Sequence, residues 1–262
     1  MYETFDVFMR SLGRQRTVRV LLPEGYGTSL KVYPVLYIHD GQNCFRDEEA
    51  NFGVCWDVEG ALMKVGIDII VVGVDCNHEG FKRSDEYDPW GNETIGQVLF
   101  GVPGVIGGEG KAYVDFLVNE LKPLIDEKYR TNRDVTGLAG SSMGGHISTY
   151  AACAYPEMFS RVACLSSAFW FNQDKVEELV SASDLSQIKR WYMDTGTEEV
   201  TATVGPDVYL EASDRVYDKV KRKVRNCRYE VVEGGKHHEK AWKDRLPDVL
   251  AYLFFDQPKK SL

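Results

Sequence analysis

The sequence predicts a single α/β domain over residues 1–262, built on a mostly parallel, doubly wound central sheet with helices on both faces. Three observations lead there. Short β-branched and aromatic runs alternate along the chain with segments whose apolar residues recur every three or four positions, the strand–helix alternation of a parallel sheet. The run DIIVVGVD, Asp68 to Asp75, is apolar at nearly every position, as expected of a strand covered on both sides. The length of 262 residues, with 44% hydrophobic and 27% charged residues, suits one large core of ordinary globular composition.

Taken in order, TVRVLLP (Thr17 to Pro23) and YPVLYIH (Tyr33 to His39) read as strands bounded by turn residues. WDVEGALMKVG, from Trp56, carries the helical period and precedes the apolar strand 68–75. The segment from Cys76 to about Gly108, rich in Gly, Pro and aromatic residues, reads as a long irregular loop insertion, and loops of that length inside a compact domain usually serve function. KAYVDFLVNELKPLIDEKY (Lys111 to Tyr129) reads as a helix that Pro123 kinks or breaks. Strand DVTGLAG, helix GGHISTYAACAY stopped by Pro156, and strand RVACLSS follow. The remainder repeats the theme: helix Lys175 to Ala182, strand RWYMDTG, helix Asp207 to Val224, strand RYEVVEGG, and a terminal helix from Glu239 to about Phe254. In such folds the ligand site lies beyond the carboxyl ends of the strands.

The net charge of −9 argues against a nucleic-acid partner, and the one basic run, Lys219 to Arg225, has the spacing of a solvated helix face. No apolar run approaches the roughly 18 to 20 residues of a membrane span, and the N-terminal residues lack a signal-peptide core, so a cytoplasmic protein is expected. The six cysteines are scattered singly, which predicts buried apolar residues rather than a disulfide framework or a zinc site.

The chemistry concentrates at LAGSSMGGH, Leu138 to His146. GSSMG fits G-x-S-x-G with Gly140 and Gly144 outside and Ser142 at the centre, between a strand and a helix, where a nucleophilic serine is lifted onto a sharp, strained turn. Ser141 is a poorer candidate, lacking a glycine two places before it. The Met143 amide opens the following helix, where free N–H groups and the dipole favour a developing oxyanion. A serine needs a base, and the only histidines downstream are His237 and His238, in VEGGKHHEKAW. His237 is preferred because it lies nearer the bend that Gly234 and Gly235 allow. Adjacent histidines do not make a metal site, and no metal or cofactor is expected. His146 is expected to be structural. The acid that orients the imidazole should follow a strand between Ser142 and His237, and in WYMDTGTEEV Glu199 is favoured over Glu198, Asp194 and Asp207. A second oxyanion donor is expected from HDGQNCF, with Gly41 permitting an unusual turn and the amide of Gln42 or Gly41 facing the substrate. His39 and Asp40 are expected to orient their own loop.

These residues resemble the esterase branch of the α/β-hydrolases, the group related to enterochelin esterases, S-formylglutathione hydrolases, and acetylxylan and feruloyl esterases. The likeness is collinear over nearly the whole chain: YPVLYIHDGQNCF, RSDEYDPW, LKPLIDEKYRT, GLAGSSMGGHISTYAACAYPEMF, DTGTEE and GGKHHEKAWKDRLPDVLAYLF. It implies a triad of Ser142, His237 and an acid near Glu199, an oxyanion hole of Met143 with Gln42 or Gly41, and self-association as in many relatives. Where many relatives carry Asp in a GTxD-like turn, this chain reads GTEE.

The expected activity is therefore metal-independent hydrolysis of a carboxylic acyl ester, on a small acyl ester or an acylated sugar, through an acyl-enzyme. An acyltransferase using the same triad and a non-catalytic binding protein of the same fold are the rivals. Among the aromatic residues Trp56, Trp90, Phe169, Trp170 and Phe171, the substrate-lining candidates are Trp170, Trp56 and Trp90, Trp170 foremost because it follows a strand end. Arg83, Glu86 and Tyr87 are expected to cap the site or to hold the 76–108 segment through an ion pair.

Overall fold

The computed structural model describes residues 1–201 and 204–255. The chain opens with a hairpin of β1 (Tyr2–Met9) and β2 (Arg14–Leu21), followed by β3 (Tyr33–His39), α1 (Val58–Val65) and β4 (Ile70–Val74). Next come α2 (Lys82–Tyr87), the small hairpin partners β5 (Gly91–Asn92) and β6 (Ile106–Gly107), and α3 (Glu93–Phe100) between them. The helices α4 (Gly110–Phe116) and α5 (Lys122–Lys128) lead into β7 (Thr131–Ser141), α6 (Met143–Ala154) and β8 (Arg161–Leu165). The chain finishes with α7 (Gln173–Ala182), β9 (Arg190–Glu198), α8 (Pro206–Val220), β10 (Cys227–Lys236) and α9 (Glu239–Phe254).

Eight strands form one sheet in the order β1-β2-β4-β3-β7-β8-β9-β10. β1 and β2 run antiparallel at one edge, and every pairing from β4 to β10 is parallel. Strand alternation sends side chains to two cores. Leu36 and Ile38 of β3 face the layer of α1 and α9 with Trp242, Leu246 and Leu250, whereas Val35 and Tyr37 face the opposite layer with Tyr113, Phe116 and Ile147. This is the α/β-hydrolase arrangement, in which the ends of β3, β7, β8, β9 and β10 gather on one edge of the sheet. Among the described residues no helix is long and apolar enough to cross a membrane.

The structure departs from the sequence reading in three places. First, β1 is an additional strand; its apolar residues Phe5, Val7 and Met9 alternate with the exposed Thr4, Asp6 and Phe8, the pattern of an edge strand with one wet face. Second, residues 76–108 are not an irregular loop. Asn92 caps α3 by accepting from the Thr94 and Ile95 amides, Gly101 ends that helix at φ 63°, and β5 and β6 close the excursion. Third, the predicted 111–129 helix does not break at Pro123 but runs on through it. A π-helical turn, Leu117–Leu121, joins α4 to α5, and the Lys122 amide reaches back five residues to the Leu117 carbonyl just before the proline that has no N–H to give.

Candidate active site

Ser142 sits between the last residue of β7 and the first of α6, at φ 57° and ψ −124°, a backbone conformation that a residue with a Cβ adopts only under constraint. The constraint is visible. Its N–H donates to the Leu165 carbonyl (2.9 Å), and its own carbonyl accepts from the amides of Gly145, His146 and Ala168 at 3.0 to 3.2 Å. The glycines are required by contact: a Cβ on Gly140 would stand 2.5 Å from the Gly144 carbonyl carbon, and one on Gly145 would stand 2.0 Å from Ser167 Oγ. Ser141 is buried, whereas Ser142 is partly exposed.

β9 and β10 deliver the imidazole and the carboxylate. Their register slips between Val232 and Lys236, where the Gly196 and Gly235 backbones approach so closely that a Cβ on Gly196 would meet the Gly235 oxygen at 2.1 Å. Beyond the slip, His237 Nδ1 lies 2.7 Å from Glu199 Oε2. The ring is packed against Tyr209 (centroids 4.9 Å apart) and, edge-on, Trp242 (5.0 Å). Glu199 is fully buried, and its Oε1 accepts from the Gly196 amide (2.9 Å) and the Ser166 hydroxyl. Burial pushes this carboxyl up, but the hydrogen bond and charge of His237, with the Ser166 and Gly196 donors, outweigh it and hold the group below the ordinary glutamate range. A carboxylate at Nδ1 assigns the ring proton to that nitrogen and leaves Nε2 as the acceptor.

The alternative residues are engaged elsewhere. His238 is exposed and caps α9, its Nδ1 accepting from the Ala241 amide at 3.3 Å. Glu198 is exposed and pairs with Lys236, and Asp207 is exposed in the first turn of α8. Asp194 is buried, but its carboxylate faces the Ser166 amide (3.0 Å), Tyr192 Oη (3.1 Å) and Arg245 (3.3 Å). Burial pushes it up to about 6, Arg245 and the hydrogen bonds only partly opposing.

The Met143 amide is the first of α6 and has no intrahelical acceptor. Facing it is the turn after β3: a Cβ on Gly144 would stand 3.3 Å from that of His39. The left-handed residue in this turn is Asp40 (φ 58°), not Gly41 as expected. Gly41 is needed for a different reason, since a Cβ there would meet the Gly73 backbone of β4 at 2.5 Å. The amides of Asn43 and Cys44 donate to Asp40 O and Gly41 O, which leaves those of Gly41 and Gln42 for another acceptor. The Gln42 side chain ties the turn down, accepting from the Cys76 amide at 3.1 Å. Asp40 places a negative charge in this turn, and Arg83 grips it with two hydrogen bonds (2.7 and 2.8 Å) and holds its carboxyl below the usual range against the opposing effect of burial. His39, driven down to about 3 by burial, is neutral and bonds Tyr113 Oη at 2.8 Å.

Residues 9–253 match the family described as "Putative esterase". The chain belongs to that family. Among relatives of this esterase-family chain, Uncharacterized protein YbbA of Bacillus subtilis (strain 168) is 25% identical over 248 residues, covering 91% of this chain and 92% of the other. The crystal structure of an IroE-like serine hydrolase from Shewanella oneidensis superposes with a TM-score of 0.74 at 22% identity, covering 95% of this chain and 79% of that one. A ferulic acid esterase structure gives a TM-score of 0.68 at 21% identity, with 97% of both chains covered. These structures are similar in fold.

The aromatic residues of the esterase divide three ways. Trp170 is partly exposed and stands edge-on to Tyr209 at 5.8 Å, one ring away from His237. Trp90 is partly exposed at the seam between residues 76–108 and α6, edge-on to His146 and Tyr150. Trp56 corrects the expectation: it is 1% exposed and packs on Trp242 in the core behind the imidazole, where no substrate reaches. Phe169 and Phe171 are buried. Arg83 holds its segment to Asp40, Glu86 holds it to Arg14 and Arg16 of β2, and buried His146 bonds Asp88 at 3.3 Å. Tyr209, Trp242 and Ser166 also belong to the site and carry no sequence signal, for they meet His237 and Glu199 only through the crossing of α8, α9 and β8. Among the described residues no three His, Cys, Asp or Glu side chains cluster to hold a metal.

Proposed function

We propose that this esterase-family chain is a serine carboxylic ester hydrolase working through Ser142, His237 and Glu199. The observation that carries the reading is the 2.7 Å contact of His237 Nδ1 with a fully buried Glu199, on the strand edge that also presents the strained Ser142. His237 Nε2 takes the Ser142 Oγ proton as the oxygen attacks the ester carbonyl, and Glu199 stabilises the imidazolium that results. The tetrahedral oxyanion is held by the amides of Met143 and of Gln42 or Gly41, each donor contributing about 10² to 10³ in turnover. The tetrahedral centre collapses, the C–O bond to the alcohol breaks, and the imidazolium returns its proton to the leaving oxygen. Water, deprotonated by His237, then attacks the acyl-enzyme and frees the acid and Ser142.

The substrate class we infer is a small or sugar-linked acyl ester. Trp170 and Tyr209 give an aromatic wall beside His237, and a groove of about 510 Å³ lined by Thr197, Val200, Pro206 and Lys236 borders the same ring. Likeness to a ferulic acid esterase supports an aromatic or sugar ester. A panel of p-nitrophenyl acyl esters with acetylated and feruloylated sugars tests this. Turnover that Ser142→Ala abolishes supports the reading; equal turnover by that variant rejects it.

A further inference from the structure

Ser166 lies one residue beyond β8, fully buried, with φ 44°, a left-handed position that glycine occupies without strain. Its N–H donates to both the carbonyl and the carboxylate of Asp194 (3.0 Å each). Its Oγ accepts from Trp242 Nε1 (2.9 Å) and Arg245 Nη2 (3.0 Å), both on α9, and donates to Glu199 Oε1. A hydroxyl has two lone pairs and one hydrogen. Two N–H donors occupy the lone pairs, so the hydrogen is aimed at Glu199 and has no competing acceptor.

We propose that Ser166 is a positioning residue of the site, its hydroxyl transmitting the fixed geometry of α9 to the Glu199 carboxylate so that Oε2 stays on His237. The inference rests on the triad reading above. A serine at a strained position is explained by what its hydroxyl does, because glycine would meet the backbone's needs better and could not donate. Glu199 is otherwise faced by His237 from the loop after β10, Tyr209 from α8 and Asp194 from β9. Neither Tyr209 nor Asp194 is hydrogen-bonded to it, so among the described residues its Oε1 keeps only the Gly196 amide once Ser166 is gone.

Ser166→Gly removes the hydroxyl and relieves the φ strain, so it is the variant least prone to unfold. The expected result is a fall in kcat on the order of 10- to 100-fold, by analogy with the hydrogen-bonded partners that orient metal-ligating histidines, with KM unchanged. Combined with Glu199→Gln, which already removes the carboxylate, Ser166→Gly should cost no more than about twofold further. Full multiplication of the two losses, or an unchanged kcat in Ser166→Gly alone, overturns the proposal. Trp242→Phe withdraws one of the two donors that aim the hydroxyl; it should show a smaller loss of the same kind and serves in place of Ser166→Gly if that variant unfolds. Fluorophosphonate labelling of the unaltered protein separates the two claims: if Ser142 is labelled and Ser166→Gly turns over normally, only the positioning role fails, whereas an unlabelled protein removes the triad beneath it.

Discussion

Replacing Glu199 by glutamine exchanges one carboxylate oxygen for an NH₂ group and tests what the carboxylate does. Three donors converge on it: His237 Nδ1–H at 2.7 Å, the Gly196 amide at 2.9 Å and the Ser166 hydroxyl. An amide offers one oxygen and one NH₂. With the oxygen on His237, the NH₂ is driven against the Gly196 N–H and the committed Ser166 hydroxyl, and a buried donor left unsatisfied costs about 1–3 kcal/mol. With the oxygen on Gly196 and Ser166, the NH₂ donates to Nδ1 and every group is paired. The second arrangement wins, and it carries the proton to Nε2, where the imidazole can no longer accept from Ser142. The variant should therefore unfold within about 2–4 °C of the parent, the shift for ~1 kcal/mol in a protein of this size, yet lose about 10⁴ in kcat, the scale of such a change in a serine triad. Thermal unfolding and the pre-steady-state burst with a p-nitrophenyl ester read both quantities. Turnover within tenfold of the parent would refute the reasoning.

Further expectations concern the elbow and its neighbours. Ser142→Ala should keep the parent's melting temperature or exceed it, while ester turnover disappears; calorimetry beside the ester assay checks both. Gly140→Ala sets a Cβ 2.5 Å from Gly144, so it should cost about 1–3 kcal/mol of overpacking and slow fluorophosphonate labelling, read by unfolding and labelling rates. Arg83→Met orphans the buried Asp40 carboxylate and should destabilise by up to about 3 kcal/mol at pH 7. Because the folded pKa of Asp40 is depressed, the stability it lends is present above the unfolded carboxylate value near 3.9 and lost as pH falls through the folded one, so denaturant titrations of parent and variant should converge below about pH 4.

What could be read from the chain was whatever a contiguous run encodes. The buried strands declared themselves because both faces are apolar, and GSSMG because its two glycines, four residues apart, meet across the turn. The 76–108 helices span six and eight residues, too few for a period to emerge among Gly, Pro and aromatic residues. The β3 turn was legible as a turn but not in detail. Gly41 is there for its approach to Gly73, and the positive φ falls on Asp40, which Arg83 and the Tyr87 hydroxyl hold in place. Trp56 looked like a pocket wall by type alone, and only its packing on Trp242 shows a core residue. Glu199 and Glu198 are adjacent and chemically alike; the slip between β9 and β10 turns one inward to His237 and leaves the other with Lys236. Ser166 is silent in sequence because its four partners come from three different elements.

The central claim is that the Ser142 hydroxyl is the group activated by His237, and covalent trapping tests it most directly. The protein is treated with a fluorophosphonate, digested, and the adduct located by peptide mass spectrometry. One equivalent of label is expected on Ser142, and none in His237→Ala. Label on Ser141 or another serine, or a protein that remains unmodified while fully folded, would contradict it.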